Sequence, residues 1–149
     1  MSIFKKFFKG KATESDTEDP KTGKKNDYVV AILTGDVDKV RSLADTGEVN
    51  IKLQKGWTPL MFAASEGNIA IVDALLSRGA DVDMQSDSGE TALMLAVRQE
   101  HMETVKKLLI EAEANVNLKN NGGKTALTIA LENNQRDILH FIESQVSQK

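Results

Sequence analysis

The chain of 149 residues has no cysteine, only two prolines and two histidines, and a single tryptophan. The lack of cysteine excludes disulfides, thiolate metal sites and thiol nucleophiles, and it favours a reducing compartment, so we expect a cytoplasmic protein. The longest apolar runs have only about five or six residues, whereas a membrane-spanning helix needs about 20. An apolar stretch typical of a secretory signal is also missing from the start. We therefore expect no membrane span and no cleaved leader.

Charge divides the sequence into two regions. Residues 1–25 carry seven lysines and four acids, whereas residues 26–149 carry 12 basic and 18 acidic residues, a balance of −6. An acidic surface repels phosphate backbones, so the composition predicts no nucleic-acid binding by this larger region.

The first 25 residues differ from the rest in composition as well. Residues 9–26 are almost wholly polar, glycine or proline, and such a stretch buries too little apolar surface to offset the entropy lost on ordering. We predict a flexible leader over residues 1–25.

A short apolar face opens this leader. Ile3, Phe4, Phe7 and Phe8 would share one face of a helix, with Lys5, Lys6 and Lys9 around them. A contiguous aromatic patch favours docking on another surface. Three interpretations stay open: the segment docks on the following domain or frays, it contacts an anionic membrane, or it binds a partner. The residues assigned to membrane contact are Phe4, Lys5, Phe7 and Phe8.

The remainder of the chain repeats itself. Residues 56–63, 89–96 and 123–130 align, with their threonines 33 and 34 positions apart. A fixed period of this length indicates stacked supersecondary units. Each unit has two helical patterns. The first is short and alanine-rich, with Thr58 placed as its N-cap and Pro59 in its first turn. The second carries a broad apolar stripe and ends near Gly79, which suits a left-handed cap.

The motif Gly-Trp-Thr-Pro-Leu at residues 56–60, followed by residues 63–68 and 75–83, resembles an ankyrin repeat. The resemblance covers residues 26–149 and implies an all-α solenoid of helix–turn–helix units, approximately 26–53, 54–85, 86–119 and 120–149. The first unit is degenerate and would act as a cap. Ankyrin repeats bind proteins, so the resemblance implies a non-catalytic interaction module without cofactor or metal. We expect a monomer that binds another protein of unknown identity. A membrane-tethered adaptor that uses the leader is the alternative.

Two departures from the family pattern stand out. Met61, Met94 and Thr128 replace the histidine that the family usually has after the signature proline, which leaves its polar bridges between repeats in doubt. The third unit has one extra residue and no glycine at the end of its second helix. We predict a lengthened or irregular helix end there.

The candidate catalytic and ion-binding motifs are incomplete. Residues 122–125 suggest a phosphate loop, but the required preceding glycine is missing. Asp81, Asp83 and Asp87 suggest a calcium loop that lacks its central glycine. His101 lies at an inter-helix turn and is expected to be structural. Without a nucleophile–base pair, we predict no enzyme.

The resemblance implies a concave binding face made of turn tips and first helices. Trp57 is predicted as its anchor, because a solvent-facing tip has no packing need for an indole and tryptophan is frequent among interface hot spots. A second interpretation is that Trp57 folds over the first unit. The residues predicted to bind the partner are Lys55, Trp57, Met61, Glu66, Asp87, Glu90, Met94, Arg98, Lys124 and Glu132.

Overall fold

The computed structural model describes residues 20–147, which contain helices and turns and no strand. The helices form consecutive pairs along the chain. Their bounds are α1 Pro20–Thr34, α2 Val37–Ala44, α3 Pro59–Glu66, α4 Ile69–Ser77, α5 Ala92–Arg98, α6 Met102–Lys106 with a π-helical turn Lys107–Glu111, α7 Ala126–Glu132 and α8 Arg136–Ser147. The predicted all-α repeat solenoid is confirmed.

The helix pairs stack in two rows. The first helices of the four units, α1, α3, α5 and α7, contact one another in that order. The second helices α2, α4 and α6 stack beside them, and α8 packs against α7. Small side chains on the first helices, among them Ala63, Ala96 and Ala130, are completely buried. They let the larger side chains of the neighbouring helices approach closely, which gives one continuous core.

Local signals in the sequence explain where these helices begin. The hydroxyl of Thr58 accepts a hydrogen bond from the backbone N–H of Met61 at 3.2 Å, as predicted for an N-cap. Thr91 and Thr125 cap α5 and α7 in the same way. Gly67 then takes a left-handed conformation between α3 and α4. Each of the three signature repeats therefore fixes the start of its first helix through the same threonine.

The ends of the second helices differ between units. In the second unit Gly79 has φ 91°, and Ala80 N–H donates to the carbonyl of Leu75. In the third unit the equivalent Ala114 N–H donates to Leu108, one residue further back along the chain. A π-helical turn takes up the extra residue, and Glu113 has φ 53° at the position of Gly79. The predicted irregular helix end is confirmed.

The helix α1 crosses the predicted boundary between leader and first unit. α1 begins at Pro20, whereas residues 20–25 were expected to be flexible. Alignment of Ala31 with Ala63 shows that α1 starts two turns earlier than α3 does in its own unit. Composition alone missed this extension because adding turns to a packed helix costs far less than nucleating one, and proline is well suited to a first turn.

Candidate protein-interaction surface

The turn tips of successive units are joined into a ladder. Asp87 N–H donates to the carbonyl of Lys55 at 3.1 Å, and Asn121 N–H donates to the carbonyl of Ser88 at 2.9 Å. The side-chain amide of Asn121 adds a bond to the carbonyl of Asp87 at 2.9 Å. Gly56 lies so close to the next tip that a Cβ there would approach the backbone nitrogen of Asp87 to 2.8 Å. The tips therefore form one rigid edge.

The first residue after each tip glycine was predicted to face solvent, and in the second unit this prediction was wrong. Trp57 is only 6% exposed, and its ring packs against that of Phe62 with centroids 5.0 Å apart. It belongs to the same buried cluster as Tyr28 of α1. Trp57 is part of the core rather than an exposed anchor.

The equivalent residue of the third unit, Glu90, is also buried at 8% exposure, which corrects its predicted exposure. Its two carboxylate oxygens accept hydrogen bonds from the Arg98 guanidinium at 2.9 and 3.0 Å. Asn120, in the next unit, donates to the same carboxylate at 2.6 Å. Burial alone would raise the pKa of Glu90, but these hydrogen bonds outweigh burial and hold the pKa below its usual value.

The fourth unit carries the same pair with reversed polarity. Lys124 lies at the position of Glu90, and its ammonium is 2.8 Å from a carboxylate oxygen of Glu132, at the position of Arg98. Both side chains of this pair are 42–49% exposed. Positive and negative charges therefore alternate both within and between the two units. Glu90 lies near Lys124, and Arg98 near Glu132, at distances where their charges interact.

The first helices contribute less exposed surface than predicted. Met61 and Met94 are completely enclosed, so their predicted place on the binding face was wrong. The Met61 thioether accepts a bond from Thr58 N–H at 3.5 Å, which turns the side chain back toward the helix start. The predicted residues that remain exposed or half-buried are Lys55, Glu66, Asp87, Arg98, Lys124 and Glu132.

Polar side chains also link units across their helices and turns, and His101 and Asn120 are two examples. His101 Nε2 donates to the carbonyl of Ser65 at 2.9 Å, which confirms its structural role. Asn120 was missed by sequence reasoning, although it both bonds Glu90 and caps its own turn through Gly122 and Lys124 N–H groups. An asparagine three residues before the tip glycine is the signal that would have revealed its role within the turn, though not its bond to Glu90.

Two further features bear on function. Within residues 20–147, no cluster of three or more histidine or acidic side chains has a geometry suited to a metal ion, and no helix is long and apolar enough to cross a membrane. The residues predicted to touch a membrane, Phe4, Lys5, Phe7 and Phe8, lie outside the described residues.

Comparison with known proteins agrees with this architecture. A family model described as ankyrin repeats in three copies matches residues 2–86 and, again, residues 78–147. The chain belongs to the ankyrin-repeat family. Ankyrin repeats generally mediate protein–protein interactions and are generally non-catalytic, and solenoids of this kind use extended concave surfaces for binding.

Several ankyrin-repeat relatives share the name "Ankyrin repeat, SAM and basic leucine zipper domain-containing protein 1". The protein of Saimiri boliviensis boliviensis is 41% identical over 75 residues, which are 49% of this chain and 16% of the relative. That of Loxodonta africana is 39% identical over 88 residues, 58% of this chain and 18% of the relative. That of Chlorocebus aethiops is 43% identical over 74 residues, which are 49% of this chain and 15% of the relative. The chain thus matches less than a fifth of each relative's length.

Proposed function

We propose that the chain is a non-catalytic, intracellular protein-interaction module that binds its partner through the exposed edge of its turn tips and first helices. The observation that carries this proposal is the row of charged side chains held on the hydrogen-bonded tip ladder. The row consists of Lys55, Asp87, Arg98, Lys124 and Glu132.

The ladder favours recognition because its backbone is ordered before any partner arrives. Lys55 and Asp87 lie on tips that are bonded to one another through their main chains, so binding loses little conformational entropy there. The side chains of Arg98 and Glu132 are likewise held by partners within their own units. The partner therefore meets a preformed surface.

The alternating charges indicate what kind of recognition this surface supports. Glu90–Arg98 and Lys124–Glu132 have opposite polarity at equivalent positions, so the surface has no large area of one sign. Complementary patterns of this kind chiefly set specificity and the association rate. We infer that the partner presents a polar surface with an alternating charge pattern of its own.

A charge exchange at the tips tests the proposal. The variant Lys55→Asp with Asp87→Lys keeps the net charge but reverses two tip positions, and the left-handed backbone of Lys55 tolerates aspartate well. A matched control, Glu103→Lys with Lys106→Glu, reverses an exposed ion pair on α6, on the opposite row of helices.

Both variants and the unchanged chain are used to capture partners from the source cells, followed by affinity measurement on the captured protein. We expect the tip variant to weaken binding at least tenfold, about 1.4 kcal/mol, and the α6 variant to bind normally. Normal binding by the tip variant, together with loss of binding by the α6 variant, would indicate that the partner binds the second helices instead.

A further inference from the structure

The two ends of the helix stack expose large apolar side chains. Val30 on α1 is 59% exposed and Leu131 on α7 is 61% exposed. Both occupy positions that are buried in the other units. Leu131 corresponds to Ala64 and Val97, each fully buried between neighbouring units. Each end thus presents a surface that elsewhere in the stack is covered.

At the α1 end, the position of Val30 is occupied in the later units by Phe62, Leu95 and Ile129, none more than 5% exposed. Asp27, one turn before Val30, corresponds to Pro59, Ala92 and Ala126, which are buried as well. In each later unit, the preceding unit and the unit's own turn tip lie beside the positions equivalent to Asp27 and Val30. Within residues 20–147, neither lies beside α1. We define Asp27, Val30 and the neighbouring Thr34 as the α1 strip.

Residues 3–8 have the chemistry that would cover the α1 strip. They contain four large apolar residues, Ile3, Phe4, Phe7 and Phe8, and an aromatic patch of this size tends to be buried. The family-model match also begins at residue 2 rather than at the first described helix.

The length of the connecting chain permits contact between residues 3–8 and α1. Residues 9–19 link the segment to Pro20 and can span up to about 37 Å, whereas Val30 lies about 15 Å along the helix from Pro20. Residues 1–11 carry four lysines and no acid, and the α1 strip carries the exposed carboxylate of Asp27. The segment can therefore reach the strip, and its lysines can approach the Asp27 carboxylate.

We propose that residues 3–8 dock on the α1 strip and cover Val30, supplying the contact that a preceding unit provides elsewhere in the stack. The tether makes this arrangement favourable over the binding of a second copy. A linker of this length gives an effective concentration of about 1 mM, so an intrinsic dissociation constant of about 0.1 mM is sufficient for about 90% occupancy.

Because the chain has no cysteine, a single introduced thiol reports directly on coverage. Val30→Cys is made in the full chain, with the natural leader and with Phe7→Ser and Phe8→Ser together, and the rate of maleimide labelling is measured. Leu131→Cys in the same two backgrounds is the matched control, because it is equally exposed at the other end of the stack.

We expect labelling at position 30 to be about tenfold slower with the natural leader, since only the undocked fraction of about 10% reacts. Labelling at position 131 should be the same in both backgrounds. Equal rates at position 30 would overturn the proposal, as would an equal acceleration at both positions, which would indicate general loosening of the fold.

Labelling at several protein concentrations and with added vesicles distinguishes the other possible occupants of the α1 strip. Protection that grows with protein concentration would assign the strip to a second copy. Protection that appears only with vesicles of phosphatidylcholine and phosphatidylserine would assign it to a membrane. Either result contradicts docking of the leader, which requires protection that is independent of both.

Discussion

The residue after the tip glycine behaves differently in the second unit from the way it behaves in the third and fourth. Trp57 is buried against Phe62 in the second unit. In the third unit Glu90 forms a bidentate ion pair with Arg98. In the fourth unit Lys124 pairs with Glu132 at the surface. The same tip hydrogen bond to this residue's carbonyl recurs in all three units, so the residues around each side chain decide its role.

The neighbours explain each outcome. Beside Trp57 lies the ring of Phe62, with centroids 5.0 Å apart. Beside Glu90 lies Asn120, which donates a hydrogen bond to its carboxylate. An apolar neighbour thus favours burial of an indole, whereas a polar neighbour satisfies a partly buried charge. In a repeat protein, binding residues cannot be chosen by repeat position alone.

Truncating Trp57 should produce the largest effect on this comparison. Trp57→Ala removes a large buried ring, and we expect it to lower the free energy of unfolding by about 3–5 kcal/mol. The matched change Lys124→Ala, at the equivalent exposed position, should cost about 0.5 kcal/mol or less. Urea denaturation of both variants measures the difference. Similar small losses for the two would place Trp57 at the surface after all.

Removing the carboxylate of Glu90 should have the next largest effect. Glu90→Ala leaves Arg98 and Asn120 without their shared acceptor, and we expect a loss of about 1–3 kcal/mol in unfolding free energy. Glu132→Ala, which breaks the exposed pair of the fourth unit, should cost about 0.5 kcal/mol or less. Equal costs would show that the buried network contributes no more than the surface pair.

The contribution of Glu90 to the free energy of unfolding should also depend on pH. Its pKa in the folded chain is lowered below the ordinary value of 4.5, so the folded state favours the ionised form. The stabilisation is fully present well above pH 4.5 and is lost as the pH falls through the lower folded value. The difference in unfolding free energy between the natural chain and Glu90→Gln should therefore shrink on acidification. A difference that stays constant to about pH 3 would contradict the assigned shift.

A pair of backbone changes compares the two second-helix ends. Gly79 has φ 91° with open space around it, so Gly79→Ala should cost about 1 kcal/mol through backbone strain alone. Glu113 has φ 53° at the equivalent position, so Glu113→Gly should stabilise the chain by up to about 1 kcal/mol. Thermal unfolding of the two variants should move in opposite directions. Movement in the same direction would contradict the equivalence of the two positions.

The smallest expected effect concerns the buried hydroxyl of Tyr28 on α1. Tyr28 is completely buried, and its hydroxyl has no hydrogen-bond partner among the described residues. Tyr28→Phe should therefore be neutral or stabilise by about 1 kcal/mol or less. Burial, with Glu48 and Asp45 adding to it, raises the pKa of Tyr28 to about 12. The natural chain should lose stability above pH 10, whereas the variant should lose less, as measured by urea denaturation at pH 8 and 11.

Local signals predicted much of the fold. The capping threonines, Pro59 and Gly79 act within a few residues of themselves, so their roles followed from the sequence. An irregular end to the second helix of the third unit was also predicted from its extra residue, and the structure shows that this end is a π-helical turn.

The site was harder to predict because burial depends on contacts between units. Trp57, Met61 and Met94 have positions that a repeat alignment assigns to the binding face, yet neighbouring helices and turns enclose them. Glu90 was placed on the same face, but its paired and buried state depends on Arg98 eight residues later and on Asn120 in the next unit. Such contacts have no local sequence signature.

Hydrogen–deuterium exchange of the complex with the captured partner would test most directly whether the tip edge is the binding surface. The account predicts that binding slows exchange in the tips at residues 54–56, 86–89 and 120–123, and leaves exchange in α4 and α6 unchanged. Slower exchange confined to α4, α6 and the π-helical turn, with unchanged tips, would contradict it.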